Sequence, residues 1–237
     1  VDSPFLAYNQ DFELFGFQHL LVLVLVLGLC IFLPPLARSR LSPRQQIALS
    51  RVLAVNISFW AAIYVVILLL LGDFDPRTDL PLDVCNFMAL LLPFLMWHPS
   101  YRVHEILFFW ILVGTLQANL SPHLYNGFPN FIFIKYWMVH GGLVVYTLYI
   151  TRVLRYYPNW KSIWRSFGVL QLYMVIIYGA NLILDSNYLY LIRKPPTASI
   201  LDYLGPWPVY VLSAELFGLV GFHLAWAPVA IAQKRKS

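Results

Sequence analysis

Seven apolar runs punctuate the chain at about residues 17–36, 52–71, 80–97, 103–120, 131–150, 166–184 and 207–231. A helix rises about 1.5 Å per residue, so about 20 apolar residues cross a hydrocarbon core of about 30 Å, and each run predicts one crossing. The first run is closed by Pro34-Pro35, and the second is interrupted by Asn56 and Ser58. The third is somewhat short and carries Pro93, which predicts a kink. Gly72–Asp79 reads as a short acidic turn, Ser121–Asn130 as a loop punctuated by Pro122, Gly127 and Pro129, and Asp185–Pro206 as the longest connection. Heptads, internal repeats and low-complexity linkers are not evident. The pattern predicts an all-α fold: one polytopic membrane domain over residues 1–237, a bundle of seven transmembrane helices.

Composition agrees with the pattern. Hydrophobic residues make up 60% of the 237 positions and charged residues 11%, with a mean hydropathy of +0.68, against about 25% charged in an ordinary soluble domain. The formal net charge of +5 is not a nucleic-acid signal, because the basic residues sit at helix ends and in short loops. It reads as a topology code. One side collects Arg38, Arg40, Arg44, Arg51, Arg102, Arg152, Arg155, Lys161, Arg165, Lys234, Arg235 and Lys236, and the other only Arg77, Lys135, Arg193 and Lys194. Cytoplasmic loops carry the excess of Lys and Arg, so the N-terminus is expected outside and the C-terminus in the cytoplasm. The first run follows an acidic, aromatic segment (Asp2, Asp11, Glu13) and no small-residue cleavage site follows it, so no secretory signal is recognised. The expected location is an integral protein of a bacterial plasma membrane.

Polar residues inside the runs are the candidates for function, since an ionisable group there costs about 2.5–3.5 kcal/mol on insertion scales. Under the expected topology an outer layer gathers Gln18 and His19, then Asp83, Cys85 and Asn86, then Gln117 and Asn119, with Lys135, Asn181, Asp185 and Glu215. His140 lies about 14 Å along the fifth run, and His223 lies deeper still in the seventh. So many polar groups on one side predict an outward-opening cavity shared by at least six helices. Each group also has a plainer use: amides as interhelical bonds, Lys135 as a snorkelling side chain or ion-pair partner, a lone histidine as a packed group.

Cys85 and His140 are the chemical centre of the layer. A free cysteine is often only a small hydrophobe. Beside an imidazole it becomes a nucleophile, because imidazole takes the thiol proton and a carboxylate or amide such as Asp83, Asn119 or Asn181 can orient the ring. Cys85 also falls in the first turns of its helix, where the dipole favours a thiolate. Gly141-Gly142 after His140 permits close approach of a helix or a lipid chain. Cys30 and Cys85 differ in depth by about 10 Å, beyond the roughly 7 Å that a bridged pair allows, so no disulfide is expected. The histidines His19, His98, His104, His123, His140 and His223 contain no pair spaced as HxxxH or HxxE, and neither a metal nor another cofactor is expected.

Several stretches then resemble a known family. Leu80-Pro81-Leu82-Asp83-Val84-Cys85 resembles the Leu-Pro-Leu-x-x-Cys signature of the YwaF-like seven-helix integral membrane proteins of bacteria. Gln117–Pro122, Met138-Val139-His140-Gly141, Asn187–Leu191 with Lys194-Pro195, Gly205–Pro208, and His19 within Gln18-His19-Leu20 resemble it in the same order, over nearly the whole chain. That family is similar to the animal acyltransferase that remodels ether phospholipids, and more distantly to lipid hydrolases that use a threonine and a histidine. The resemblance implies an acyl group passing through a thioester on Cys85 with His140 as acid and base. Asp83 is a departure: it stands where His or Gln is expected, and there it would either orient His140 or repel a thiolate.

The expected function is therefore a membrane-embedded lipid acyltransferase or acyl hydrolase. Cys85 and His140 would be catalytic, and Asp83, Asn86, Asn119 and Asn181 would orient the base or polarise the oxyanion. His19, Gln117, Lys135, Asp185, Glu215 and His223 would line the cavity, and a membrane lipid is the expected partner. Two alternatives use the same residues without covalent chemistry: a transporter, channel or ligand receptor, and an accessory subunit of a larger membrane complex.

Overall fold

The computed structural model describes residues 11–195 and 199–234. Among the described residues there are seven α-helices, α1 (Phe17–Arg40), α2 (Pro43–Leu71), α3 (Val84–Met96), α4 (Tyr101–Leu120), α5 (Phe131–Val153), α6 (Trp160–Leu184) and α7 (Val209–Lys234). All but α3 are long and apolar enough to cross a membrane, six in all. Asp2, Arg235 and Lys236, which entered the charge reading, lie outside the described residues.

The centre of the bundle is α5. In its most apolar window 56% of residues are buried, with 50% for α4, but only 17% for α1, α2 and α6 and 6% for α7. Helix α5 packs against α1, α2, α3 and α4, while α6 packs on α4, and α7 on α6 and the middle of α4. Exposed leucines, valines and phenylalanines on α1, α2, α6 and α7 therefore face lipid rather than a protein core.

Several boundaries differ from the hydropathy reading, and three of them have an evident cause. Helix α1 runs through Pro34 and Pro35 to Arg40 rather than closing there. Proline removes one N–H from the ladder and frees the carbonyl four residues back. That carbonyl belongs to Cys30, and it accepts a hydrogen bond from Arg152 of α5 at 3.2 Å. Helix α2 starts nine residues before the expected position 52, at Pro43. Ser42 supplies a capping box there, with Ser42 N–H donating to Gln45 Oε1 at 2.9 Å and Gln45 N–H to Ser42 Oγ at 3.4 Å. Helix α3 starts late, at Val84, because Leu80–Asp83 is not helical. With 13 residues it is about 20 Å long, short of a bilayer core by itself. Pro93 lies within α3 without ending it, and Ser58 of α2 donates to the Leu90 carbonyl nearby at 3.3 Å.

Helix α4 has a further irregularity. Trp110–Thr115 (Trp-Ile-Leu-Val-Gly-Thr) winds as a π-helix, with the Leu116 N–H reaching the Ile111 carbonyl five residues back. Before this segment α4 is fastened to α6 by Glu105, which is 1% exposed and bonded to Arg102 at 3.1 Å, Arg165 at 3.2 Å and the Ser162 hydroxyl. After it, the helix turns Thr115 and Asn119 toward α3 and α5. Wide turns of this kind re-aim side chains and often mark functional positions.

Candidate active site

The site grows from the non-helical stretch before α3. Asp83 occupies the N-cap but makes no capping bond; its Oδ1 instead accepts from the Leu189 N–H at 3.4 Å. The first-turn N–H groups of Val84, Cys85 and Asn86 thus receive no side-chain cap, and such groups attract negative charge. The connection after α6 covers this stretch. The Tyr188 hydroxyl accepts from the Leu80 N–H and donates to the Pro76 carbonyl, both at 2.9 Å. Burial pushes the Tyr188 phenol up to about 12, which keeps it a donor. The Leu82 carbonyl accepts from the Tyr173 hydroxyl at 2.8 Å. Leu189 and Tyr190 hold left-handed backbone angles, with φ of 58° and 53°, a strained arrangement for non-glycine residues that neighbouring contacts must sustain.

Cys85 is a free thiol whose Sγ lies 3.2 Å from Thr115 Oγ1 on the π segment of α4. Thr115 is fully buried, and this is the hydrogen bond its hydroxyl makes. One turn on, the Asn119 amide donates to the Thr115 carbonyl at 2.9 Å and to the His140 carbonyl at 3.3 Å. Asn119 Oδ1 is buried without a partner. A continuous set of contacts therefore runs from the thiol through Thr115 and Asn119 to the histidine on α5. Tyr136 completes it: its ring stacks on His140 at 4.1 Å with 20° between planes, and its hydroxyl donates to the Ala118 carbonyl at 2.7 Å.

The tautomer of His140 follows from its partner. Nδ1 lies 3.0 Å from the Tyr136 carbonyl, which can only accept, so Nδ1 carries the proton and Nε2 presents a lone pair. Nε2 has no hydrogen-bond partner among the described residues. This is the form a general base requires. No hydrogen bond joins His140 directly to Cys85, whose partner is Thr115. His19 differs. Its Nδ1 accepts from the Phe15 N–H at 3.0 Å, so its protonated Nε2 donates to the Asn119 carbonyl at 2.9 Å. With both nitrogens committed and no exposure, His19 clamps α1 to the end of α4.

Lys135 and Asn86 share a second chamber, a polar cavity of about 200 Å³ between α2, α5 and the stretch before α3. The Lys135 ammonium sits 4.3 Å from the centroid of the Tyr64 ring, and among the described residues no carboxylate comes within ion-pair distance of it. A desolvated cation–π contact contributes about 2 kcal/mol, less than the several kcal/mol that a buried ion costs, so the ring alone does not offset the charge. Next to the site, α1, α2 and α5 enclose an apolar groove of about 710 Å³ that reaches from Phe17 and Phe128 to Leu29 and Val145. Gly141 and Gly142 are its floor. A Cβ on either would fall 2.8 Å from Val26 or Ile57.

Among the described residues the expected set does not gather in one cavity, and five of the residues assigned to it stand apart. Asn181 is buried, but its amide is used within the connection after α6, bonding the Tyr188 backbone on both sides and the Ser186 hydroxyl. Gln117 is exposed on the last turn of α4, and Asp185 is exposed at the left-handed C-cap of α6. Glu215 lines a separate groove between α6 and α7, together with Gln171. His223 lies near the opposite end, its Nδ1 donating to the Leu219 carbonyl at 2.8 Å and its ring against Trp160 and Trp164. Depth along a helix was the criterion that grouped them, and depth says nothing of the direction in which a side chain points. Thr115, Tyr136 and Tyr64 were missed. The first two stand four residues before Asn119 and His140, one turn away on the same face, a signal that was present.

Six helices long and apolar enough to cross a membrane, with a half-buried thiol and histidine beside a buried threonine and asparagine, define an integral membrane protein with a polar site inside its helix bundle. A model of the TMEM164 family matches residues 14–226, nearly the whole chain including every residue of this site, and the chain belongs to that family. No curated protein and no solved structure matched the chain.

Proposed function

We propose that the protein is a membrane-embedded acyltransferase or acyl hydrolase acting on lipid esters, with Cys85 as nucleophile and His140 as general base. The observation that carries this reading is the fixed tautomer of His140, whose unprotonated Nε2 has no partner among the described residues, on a residue whose backbone is tied through Asn119 to the threonine that bonds the Cys85 thiol. In the first half-reaction the Cys85 proton passes to His140 Nε2 and the thiolate attacks the ester carbonyl. The tetrahedral oxyanion forms beside the uncapped N–H groups of Cys85 and Asn86, with the Thr115 hydroxyl donating to sulfur in the thiolate state. Collapse breaks the C–O bond, the departing alcohol takes the proton from His140, and a thioester remains on Cys85. In the second half a lipid hydroxyl, or water for a hydrolase, gives its proton to His140 and attacks the thioester. Collapse returns that proton to the leaving sulfur and regenerates the thiol. The groove floored by Gly141 and Gly142 would take an acyl chain, since 12 residues from Phe17 to Leu29 rise about 18 Å, the length of a common fatty chain.

The reading extends to topology. Helix α3 would act as a seventh crossing, its 13 residues rising about 20 Å and the non-helical Leu80–Asp83 completing the passage. The basic ends of α1, α5 and α7 would face the cytoplasm, with the N-terminus and Cys85 toward the outer side.

The test is acyl capture. Purified protein in lipid nanodiscs, supplied with an alkyne-tagged phospholipid, should acquire a hydroxylamine-sensitive label that is absent in Cys85→Ala and strongly reduced in His140→Ala. Acyl exchange that persists in both variants would sink the proposal.

A further inference from the structure

Acidic residues fall within the apolar runs at Asp83, Glu105 and Glu215 only. Glu105 is bonded to two arginines and a serine, and Asp83 accepts from the Leu189 N–H. Glu215 differs. It stands about 9 Å along α7, in the groove of about 410 Å³ between α6 and α7. Among the described residues no cation lies within ion-pair distance of it. Gln171, near the midpoint of the 25-residue α6, brings a second polar side chain to the same groove. Most of the remaining wall is apolar, and at the rim the Trp207 indole is held by the Leu191 carbonyl at 3.0 Å.

Helix α7 is the least covered of the six long spans, with 6% of its most apolar window buried. Leucines and valines on such a face need no partner. A carboxylate does, because acids within membrane spans are costly there and are found paired or facing a cavity. A second copy of this chain cannot supply the cation. Lys135 is the single lysine or arginine inside the seven apolar runs, and it is enclosed between α2, α5 and the stretch before α3. We propose that the face formed by α6 and α7 docks a transmembrane helix of a different protein, one that carries a lysine or arginine inside its apolar span. Glu215 would pair with that cation, and the Gln171 carbonyl oxygen would accept a further hydrogen bond from it. Val175 and Leu212, 70% and 63% exposed on the two sides of the groove, would supply the packing that drives helix association in lipid.

The test uses the full chain in liposomes, with synthetic helices of about 20 leucines as the probe, each carrying one central guest residue. Association is read by energy transfer between a fluorophore on the protein and one on the peptide. A central lysine should bind about tenfold more tightly than a central leucine, the scale of one charge-assisted contact. Glu215→Gln should remove that difference while keeping the native melting temperature. Glu215→Lys should reverse it, so that a peptide with a central glutamate binds best. Equal binding of the lysine and leucine peptides, or a lysine preference that persists in Glu215→Gln, would overturn the proposal. Displacement of the lysine peptide by an equal concentration of dodecylamine would assign the carboxylate to a lipid amine instead. Energy transfer between two copies of the chain that falls in Glu215→Gln would assign the face to a dimer. Either result would also overturn it.

Discussion

Replacing Thr115 by valine isolates the contact between α3 and the π segment of α4. Valine keeps the branched shape and changes the hydroxyl to a methyl group, so the packing of this fully buried position is preserved. The hydroxyl makes one hydrogen bond, to Cys85 Sγ at 3.2 Å, and its loss is felt mainly when sulfur carries charge. A hydrogen bond to a charged group is worth about 1.5–3 kcal/mol, against about 1 kcal/mol for a neutral pair. With tenfold per 1.36 kcal/mol, the thiolate should become about 10- to 100-fold less accessible. The measurement is the rate of Cys85 alkylation by a membrane-permeant iodoacetamide in a Cys30→Ala background, followed alongside acyl exchange. Both rates should fall by one to two orders of magnitude, while the melting temperature moves little. Alkylation and exchange at the parent rate, together with a lowered melting temperature, would show that Thr115 only packs against the thiol and would remove it from the chemistry.

Other substitutions test the framework around that contact. Gly142→Val places its Cβ 2.8 Å from Ile57 Cγ1 and should cost about 1–3 kcal/mol by overpacking, read as a lower melting temperature in detergent; an unchanged melting temperature would mean that α2 and α5 are not packed this closely. Arg152→Ala strips the Cys30 carbonyl of its partner and should destabilise by about 1–3 kcal/mol; Pro34→Ala in the same protein restores an N–H for that carbonyl and should recover much of the loss, and additive effects in the double-mutant cycle would refute the pairing. Glu105→Leu leaves Arg165 and the Ser162 hydroxyl without their shared acceptor and should cost about 3–5 kcal/mol, visible as early melting. Tyr188→Phe deletes both bonds of its hydroxyl and should speed hydrogen exchange across residues 76–83, with no change in exchange arguing against a cover over α3.

The helical membrane fold was legible because hydropathy alone detects it: the runs near 17–36, 131–150 and 207–231 became α1, α5 and α7 with ends shifted by a few residues. Where a boundary depended on a distant partner it was not legible. Nothing near Pro34 indicates that Arg152, on another helix, will take up the freed carbonyl. The late start of α3 did have a local signal, because proline at position 81 followed by an aspartate in the N-cap position is a helix-start pattern, and a hydropathy window averages over it. The π segment had no comparable signal. Of the candidate residues, Cys85 and His140 were chosen by residue type and Asn119 by depth; the thiol bonds the Thr115 hydroxyl, and Asn119 bonds the backbone carbonyls of Thr115 and His140. Asp185, Glu215 and His223 shared the argument from depth but point elsewhere, since their directions are set by the rotation of α6 and α7 about their own axes.

Two irregularities meet at Cys85, and their coincidence carries more weight than either alone. A regular helix through Leu80–Asp83 would have bonded the N–H groups of Val84, Cys85 and Asn86 to carbonyls one turn back, and they would be unable to meet an oxyanion. A regular α4 through Trp110–Thr115 would lack the extra residue of the wide turn, which rotates everything beyond it by about 100° relative to Glu105. Without that rotation, a helix fastened to α6 through Glu105 would turn Thr115 and Asn119 away from α3 and α5. Each departure lowers the internal bonding of its helix. Both costs fall within one contact of the same thiol, which is the arrangement expected where geometry is held for chemistry rather than for stability.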